Sequence, residues 1–307
     1  MKKIIKLFYY IRNPKKFIQN RQLKRLYRMR FTMNDKEYIS KYYKIKFGKL
    51  PNLENPLSFN EKLQWLKLNY RKPQFTTMVD KHKVKKYIAN LIDEKHIVKE
   101  YGYYKTFESI DFCSLPNSFV VKTTHDSGCV CVVKDKTKVN LNEIKNKIAN
   151  SLKNNYYYYC REWPYKDVEP GIIVEEFLDS NESVLPVYKF FCFNGEPYII
   201  QYIQNDKTIY ETVDYYNLYW EKLNIKQNFP NSKEKKAAPP NLNEMIQLSR
   251  ILAKNLPFVR VDFFVSNSRV YFSEFTFYTD AGFEPFVPDK WDILLGNMIQ
   301  LPKEKEL

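Results

Sequence analysis

Apolar and polar positions alternate most regularly over residues 258–277, FVRVDFFVSNSRVYFSEFTF. β-Branched and aromatic residues run up to Val265 and resume at Val270, and Ser266-Asn267-Ser268-Arg269 breaks the run. That pattern predicts a two-stranded hairpin. With a three-residue loop from Asn267 to Arg269, Asp262 faces Glu274 and Arg260 faces Thr276. Side chains two apart share a face, so all four stand on one side of the ribbon. Two opposed carboxylates repel unless a cation lies between them or one is protonated. A hard divalent cation such as Mg²⁺ answers the repulsion, and an adjacent arginine suits a phosphate. On this reading, removing either acid leaves the metal-free protein no less stable. The competing reading is a solvated face with two incidental acids, which the flanking Phe263, Phe264, Phe272, Phe275 and Phe277 make less natural.

Elsewhere the periods change along the chain. Residues 1–50 predict basic, aromatic helices. Ser58 with Glu61 is a capping-box pattern opening the helix KLQWLKL. Residues 78–92 predict one helix, with Asp80 at its start, Lys81 in its first turn, and Val84, Tyr87, Ile88 and Leu91 at helical spacing. SFVVKTTHDSGCVCVV predicts strand, polar loop and strand. Lys122 ends the first strand, and the loop Thr123–Gly128 is small enough to fold backbone N–H groups around phosphate oxygens. Residues 139–154 predict an amphipathic helix. NNYYYYCREWPYKDVEPG is an aromatic, charged loop, suited either to a sugar or nucleotide or to plain aromatic packing. IIVEEFL predicts a strand ending in Glu175 and Glu176. Residues 187–203 predict a long hairpin around Asn194-Gly195, with Lys189 on its first strand. Loops and short strands over 205–240, a helix over 241–255, the central hairpin, and a closing loop and helix follow. The order predicts an α+β fold of mostly antiparallel sheets with helices.

Charge adds one local feature. The 307 residues carry a net charge of +15. Residues 1–31 hold eleven Lys or Arg and no acid, and taking those eleven from +15 leaves +4 for the rest. The basicity is therefore local and not a nucleic-acid-binding surface spread over the fold. Interleaved with Phe17, Ile18, Leu23, Leu26, Tyr27 and Phe31, it suits an anionic membrane surface or a helical arm packed on protein. Five cysteines without a CxxC pair suit reduced thiols in a cytosol, and three scattered histidines make no zinc box. No apolar run approaches the ~20 residues that span a bilayer, and no small-residue cleavage site follows the opening MKKIIKLFYYI.

Taken in order, five stretches carry a resemblance: MVDKHKVKKYI, SFVVKTTHDSG, IIVEEFL, YKFFCFNG and EFTFYTDAGFEPFVPDKWDILLG. The chain from about residue 78 to 302 resembles ATP-grasp ligases, and within them the TupA-like branch, named for teichuronopeptide biosynthesis. The first stretch is also similar to the Asp-Lys helix start of D-alanine–D-alanine ligases. The resemblance implies an ATP-grasp fold with two lobes gripping ATP, residues 76–174 and 175–307, preceded by an arm and connector over 1–75. It implies that Lys81 and Lys122 contact ATP phosphates and that Thr124, His125, Ser127 and Gly128 belong to the covering loop. Glu175 and Glu176 would meet the adenine, Lys189 the γ-phosphate or acceptor, and Arg260 the transferred phosphoryl group. Asp262, Glu274 and Thr276 would hold Mg²⁺, and Arg161, Trp163 and Tyr278 are candidate substrate contacts. The chain departs from the family pattern at Thr276, where Asn is usual, at Val187, where Asp is usual, and at Asp126, where Gly is usual.

The implied reaction is phosphoryl transfer from ATP to a carboxylate, followed by amine attack and amide formation. The implied substrates are a small molecule or a polysaccharide precursor, for instance a uronic acid joined to an amino acid or other amine. The implied setting is cell-surface polysaccharide or capsule synthesis beside other such enzymes, in the cytoplasm or against the inner face of the membrane. Two alternatives stand beside it. A glycosyltransferase would want an Asp-x-Asp metal motif, which the sequence lacks. A non-catalytic scaffold would tolerate the three departures.

Overall fold

The computed structural model describes residues 14–179 and 184–303. The first thirteen residues of the expected basic arm lie outside these. Within them the strands form two antiparallel sheets, one for each lobe.

The smaller sheet has the order β1-β4-β2-β3, from Glu100–Tyr104, Ile172–Glu176, Phe119–Thr123 and Val130–Val133. Its two faces follow from alternation. Phe119 and Val121 on β2 and Ile172 and Val174 on β4 join a buried cluster with Ile144 and Ile148 of the helix Leu141–Leu152. The other face therefore receives Val120, Lys122, Ile173 and Glu175. Lys122 is the one cation of β2, and it leaves the strand on the side away from the helix.

The larger sheet has the order β10-β9-β5-β6-β7-β8. Its strands are Arg269–Thr276, Phe258–Ser266, Val187–Phe193, Glu196–Gln204, Thr212–Tyr216 and Lys222–Leu223. The β9–β10 hairpin differs from expectation in a way that cancels. Its turn is the two-residue Asn267-Ser268, both at positive φ (50° and 60°), as an I′ turn requires. Near the turn the register is therefore one residue off, with Val270 opposite Val265. A bulge between Phe272 and Glu274 absorbs the extra Ser273 and restores Glu274 opposite Asp262 and Thr276 opposite Arg260. The pairing of the four candidate residues is as expected, by a different route.

Residues 51–75 are not a linker. The helix Phe59–Asn69 opens with the expected capping box at Ser58 and Glu61. It buries Phe59, Leu63 and Leu66 in the same core as Phe191, Phe193 and Phe258 of the large sheet. The helix expected over 78–92 is two short pieces, Gln74–Val79 and Lys83–Ala89, because the Asp80 carboxylate accepts from the N–H groups of His82 and Lys83 and turns the chain between them. Lys81 lies in that turn, so its placement owes nothing to a helix dipole.

The closing helix, Lys290–Met298, packs on the start of Phe59–Asn69 through Gly296. A Cβ at Gly296 would stand 2.2 Å from the Leu57 carbonyl oxygen and 2.7 Å from the Phe59 nitrogen. Gly296→Ala is expected to cost ~1–3 kcal/mol by overpacking. Urea titration would show a lower midpoint at unchanged slope. An unchanged midpoint would mean the two helices separate without cost.

Candidate active site

On the large sheet, register places one polar residue from each of five neighbouring strands in a single row. Glu274 pairs with Asp262, Asp262 with Lys189, Lys189 with Gln201, and Gln201 with Tyr215. Such a row is uncommon across a sheet whose flanking positions are phenylalanine, valine and isoleucine, because each buried polar group must find a partner.

The partner of Asp262 is Arg260. Its Nε donates to Oδ1 at 2.8 Å and its Nη2 to Oδ2 at 2.7 Å. The guanidinium also donates to Thr276 Oγ1 and Thr279 Oγ1, each at 2.9 Å, and Glu274 lies 3.5 Å away. Lys189 Nζ is 3.6 Å from Asp262. The carboxylate repulsion expected from the sequence is therefore answered by Arg260 and Lys189, with no metal or proton needed. Burial pushes the Asp262 carboxyl up, against the pull of Arg260 and Lys189. Burial also works against the Arg260 charge, but Asp262 outweighs it and holds that group above its ordinary value. Both oxygens of Asp262 accept an N–H, which is the geometry of an ionised carboxylate. Burial opposes ionisation of Glu274 too, but Lys189, Arg260 and Lys81 outweigh it and hold the carboxyl below its ordinary value.

The donor set fits a hard cation. Mg²⁺ takes one or two carboxylates plus phosphate oxygens, and Asp262 and Glu274 are directly opposed. No cluster of three or more His, Cys, Asp or Glu side chains arranged for a metal occurs among the described residues. Among the described residues Asp262 and Glu274 are thus the carboxylates that would hold it, with phosphate and water as further ligands. Thr276 has its hydroxyl on Arg260 and serves as an anchor for the guanidinium.

On the small lobe, Lys122 pairs with one oxygen of Glu175, and Lys85 Nζ lies 2.6 Å from the other. Burial opposes the Glu175 charge, but these two cations hold its carboxyl below the ordinary range. Two residues expected at opposite ends of a nucleotide are in direct contact, so a phosphate must take Lys122 from Glu175. Lys85, not anticipated from the sequence, then remains as the partner of Glu175. It follows Lys81 by four residues, the one signal that could have marked it. Glu176 is half-buried at the strand end, and its N–H donates to the Lys99 carbonyl.

Lys81 Nζ donates to the backbone carbonyls of Thr123 and Asp126 and is 3.7 Å from the Asp126 carboxylate. Burial pulls its pKa down, against the opposing charges of Asp126 on its own lobe and Glu274 on the other. Asp126, the unusual acid of the loop, accepts from Thr123 Oγ1 at 2.7 Å and Ser151 Oγ at 2.5 Å. It is tied to protein and not turned toward an incoming phosphate. Thr124 is buried with its hydroxyl near the Glu169 and Gly171 carbonyls. His125 Nε2 lies 3.2 Å from the Ser151 carbonyl, while its Nδ1 is buried and meets no partner among the described residues. Ser127 and Gly128 (φ 102°) are exposed at the tip. A cavity of ≈240 Å³ lies beside this loop at Asp126, Ser127, Ser151 and Tyr156, and it contains none of the residues of the polar row.

Three candidate substrate contacts point elsewhere. Arg161 is buried with its Nη2 donating to the Arg30 and Met33 carbonyls, its Nε 3.3 Å from Asp35, and its plane over the Tyr38 ring. It holds the N-terminal helices to the body. Trp163 packs on the main core, and Tyr278 is buried within it. Of the same loop, Glu162 and Tyr165 lie near enough to feel the charges of Arg260 and Glu274. Burial pushes the Glu162 carboxyl up to about 7, against the opposing pull of Lys67 and Arg260.

The paired sheets with Lys81 between them define an ATP-grasp fold. The family model described as TupA-like ATPgrasp matches residues 61–300, more than half of the chain, and the chain belongs to that family. Among solved structures, it is similar to a D-alanine–D-alanine ligase from Bacillus anthracis complexed with ATP, at 18% identity over 65% of this chain and 54% of that one, with a TM-score of 0.37. It is similar to the Helicobacter pylori D-alanine–D-alanine ligase at 17% identity over 73% and 61%, TM-score 0.41. It is also similar to the ADP complex of PurK, an N5-carboxyaminoimidazole ribonucleotide synthetase, at 12% identity over 79% and 56%, TM-score 0.40. The chain thus spans 54–61% of the length of these three enzymes. No curated protein matches it.

Two outcomes follow from this geometry. Asp262→Asn strands a buried guanidinium and is expected to destabilise the ligand-free protein by ~3–5 kcal/mol. Glu274, one-third exposed and 3.5 Å from Arg260, should cost less than ~1 kcal/mol as Glu274→Gln. Thermal melts without nucleotide or metal check this ordering, and equal losses would contradict it. Glu162 gives a pH signature. The folded protein keeps its proton up to about pH 7, while the ordinary value is 4.5. Its contribution to stability therefore falls as pH rises through that window and is flat above it. The difference in stability between Glu162→Gln and wild type should grow from pH 4.5 to 7. A difference independent of pH would show that Glu162 is ionised throughout.

Proposed function

We propose that this chain is an ATP-dependent carboxylate–amine ligase acting through an acyl phosphate. The observation that carries the reading is the row Glu274–Asp262–Lys189, braced by Arg260, opposite Lys81 and Lys122 on the other lobe. Two opposed carboxylates for a metal, with the cations Arg260, Lys189, Lys81 and Lys122, suit a triphosphate and a phosphoryl transfer.

In this reading Lys81 and Lys122 bind the phosphates, and the loop Thr124–Gly128 closes over them. Glu175 and Glu176 face the adenine and its exocyclic amine. Asp262 and Glu274 would hold Mg²⁺, which would supply charge neutralisation at the phosphates. Arg260 lies at the carboxylate pair and stabilises charge on the phosphoryl group as it moves to the substrate carboxylate, and Lys189 steadies that carboxylate from the neighbouring strand. An amine then attacks the acyl carbon and phosphate leaves. The side chains act by position and charge, since no protein nucleophile is needed. Family membership favours a substrate in cell-surface polysaccharide or its sugar precursors, such as a uronic acid joined to an amino acid or amine, made beside other enzymes of that synthesis.

The test is purified protein with ATP, Mg²⁺ and panels of uronic acids and amino acids. Release of ADP and phosphate that needs both an acid and an amine is expected. AMP release would indicate adenylation instead. Absence of nucleotide binding would leave a non-catalytic scaffold, and transfer of a nucleotide-linked sugar would indicate a glycosyltransferase. Lys122→Ala is expected to weaken ATP binding at least tenfold in calorimetry with the fold intact, since a strand-end lysine adds little to a core.

A second observation favours a membrane-surface location. The helix Pro14–Arg28 carries Lys15, Lys16, Arg21, Lys24, Arg25 and Arg28 and no acid, with Phe17 and Ile18 exposed on it. No helix of the described residues is long and apolar enough to cross a membrane. Because Leu26 is buried and Arg161 grips the Arg30 carbonyl, deleting the arm would disturb the body. Charge removal is the cleaner probe. Each cation near an anionic surface contributes ~1 kcal/mol. Changing Lys24, Arg25 and Arg28 to Gln should weaken low-salt binding to phosphatidylserine vesicles about a hundredfold, and unchanged sedimentation would refute the location.

A further inference from the structure

The polar row continues past the residues used for phosphoryl transfer. Gln201 on β6 and Tyr215 on β7 extend it, and a cleft of ≈120 Å³ opens over this end, with Arg260 and Lys189 at its inner edge. The orientation of Gln201 follows from a chain of bonds that can run in one direction only. The Glu284 carbonyl can only accept, so Gln227 presents its Nε2 there, at 3.1 Å, and its Oε1 to Tyr215. The Tyr215 hydroxyl donates to that oxygen at 2.7 Å and so accepts from Gln201 Nε2 at 2.8 Å. The amide oxygen of Gln201 is left over. The residue is 7% exposed and lines the cleft, and among the described residues no donor meets this oxygen.

The charges around the cleft point the same way. Arg260 and Lys189 are directed at Asp262. Asp206, Glu211 and Asp280 line the cleft with them, and Lys207 lies 3.6 Å from Asp206 and donates its N–H to Glu211. Burial pushes the Glu211 carboxyl up and the Asp206 charge adds to it, against the Lys207 N–H and the charges of Lys189 and Lys207. An acceptor held in place without a donor, beside three carboxylates, suits a ligand that is both a donor and a cation.

We propose that this cleft is the amine subsite of the ligase, taking a primary amine as its ammonium ion, with Gln201 Oε1 accepting one N–H and the carboxylates offsetting the charge. The inference rests on the ligase reading. One ammonium proton passes to the carboxylate cluster. The nitrogen lone pair then forms a C–N bond with the acyl phosphate at the Arg260–Lys189 edge. The C–O bond to phosphate breaks, and a second N–H proton leaves with the phosphate.

The test measures probe binding to the full chain with Mg²⁺ and a non-hydrolysable ATP analogue. The probes are glucosamine and ethanolamine, beside N-acetylglucosamine and ethylene glycol as neutral counterparts. Each amine should bind at least tenfold tighter than its counterpart, and Gln201→Leu should reduce amine affinity at least fivefold. Should Gln201→Leu fail to fold, Glu211→Gln, on the loop before β7, should produce the same loss. Equal affinity for amine and neutral probe overturns the proposal, as does no binding by either amine. Binding of glucuronate in the cleft, lost in Lys189→Met, would assign it to the acid instead. Wild-type protein that fails to bind the nucleotide analogue would overturn the ligase reading itself, so the two failures are distinguishable.

Discussion

The two-point contact between Arg260 and Asp262 is the constraint from which the rest of the site follows. Neither group tolerates burial alone, and together they satisfy each other within one strand, because residues two apart point to the same face. The guanidinium has further N–H groups, and these fix its surroundings: Thr276 on the partner strand and Thr279 at the start of the closing loop. That loop is held from behind by Lys67, whose ammonium donates to the Ala281 carbonyl at 2.6 Å, and by Gln64, which donates to the Gly282 carbonyl at 2.7 Å. Both come from the helix Phe59–Asn69. The helix is therefore part of the lobe that carries the large sheet, and the apparent connector is a wall that positions the loop against the ion pair.

Much of this was legible in the sequence, and the limits have physical causes. Period-two alternation exposes strands and faces, so the pairing of Asp262 with Glu274 and the emergence of Lys122 from β2 came through. The hairpin came through by cancellation: an I′ turn shorter by one residue and a bulge at Ser273 offset each other. Alternation cannot say which cation a buried acid will choose. Arg260 suits a phosphate on its sequence, and in the structure the anion it holds is the residue two positions on. Arg161 and Glu162 show the same limit in a loop. Adjacent residues with a helix end between them point apart, and the residue in the left-handed conformation (Arg161, φ 58°) turned away from the site while its neighbour turned in. Gln201 carries no charge and sits in an apolar run, so no sequence rule marks it. Only the register of β5 and β6 brings it beside Lys189.

The three departures from the family pattern resolve differently. Thr276 keeps a hydroxyl on Arg260, so the position still braces the site although it offers a weaker metal ligand than an amide. Asp126 looks adverse to phosphate as a bare sequence change, yet its carboxylate is held by Thr123, Ser151 and Lys81 and closes the base of the loop. Val187 is buried between Ile203 and Phe264, where an unpaired acid would be costly, so the neighbouring packing is consistent with the apolar residue.

The charges of both lobes are already paired without a nucleotide: Lys122 and Lys85 on Glu175, Lys81 on Asp126, and Arg260 and Lys189 on Asp262. On the ligase reading, binding a metal-bound triphosphate would be an exchange of ion pairs, in which Lys122 and Arg260 would give up a carboxylate for a phosphate oxygen while Lys85 stays on Glu175. The net free energy is a difference between similar interactions and not the sum of new ones, so no single contact sets nucleotide affinity. On that reading, a preference for the complete metal–nucleotide complex would follow from the same exchange: drawn off by a phosphate, Arg260 would leave the buried Asp262 with Lys189 alone, 3.6 Å away, until a metal met it.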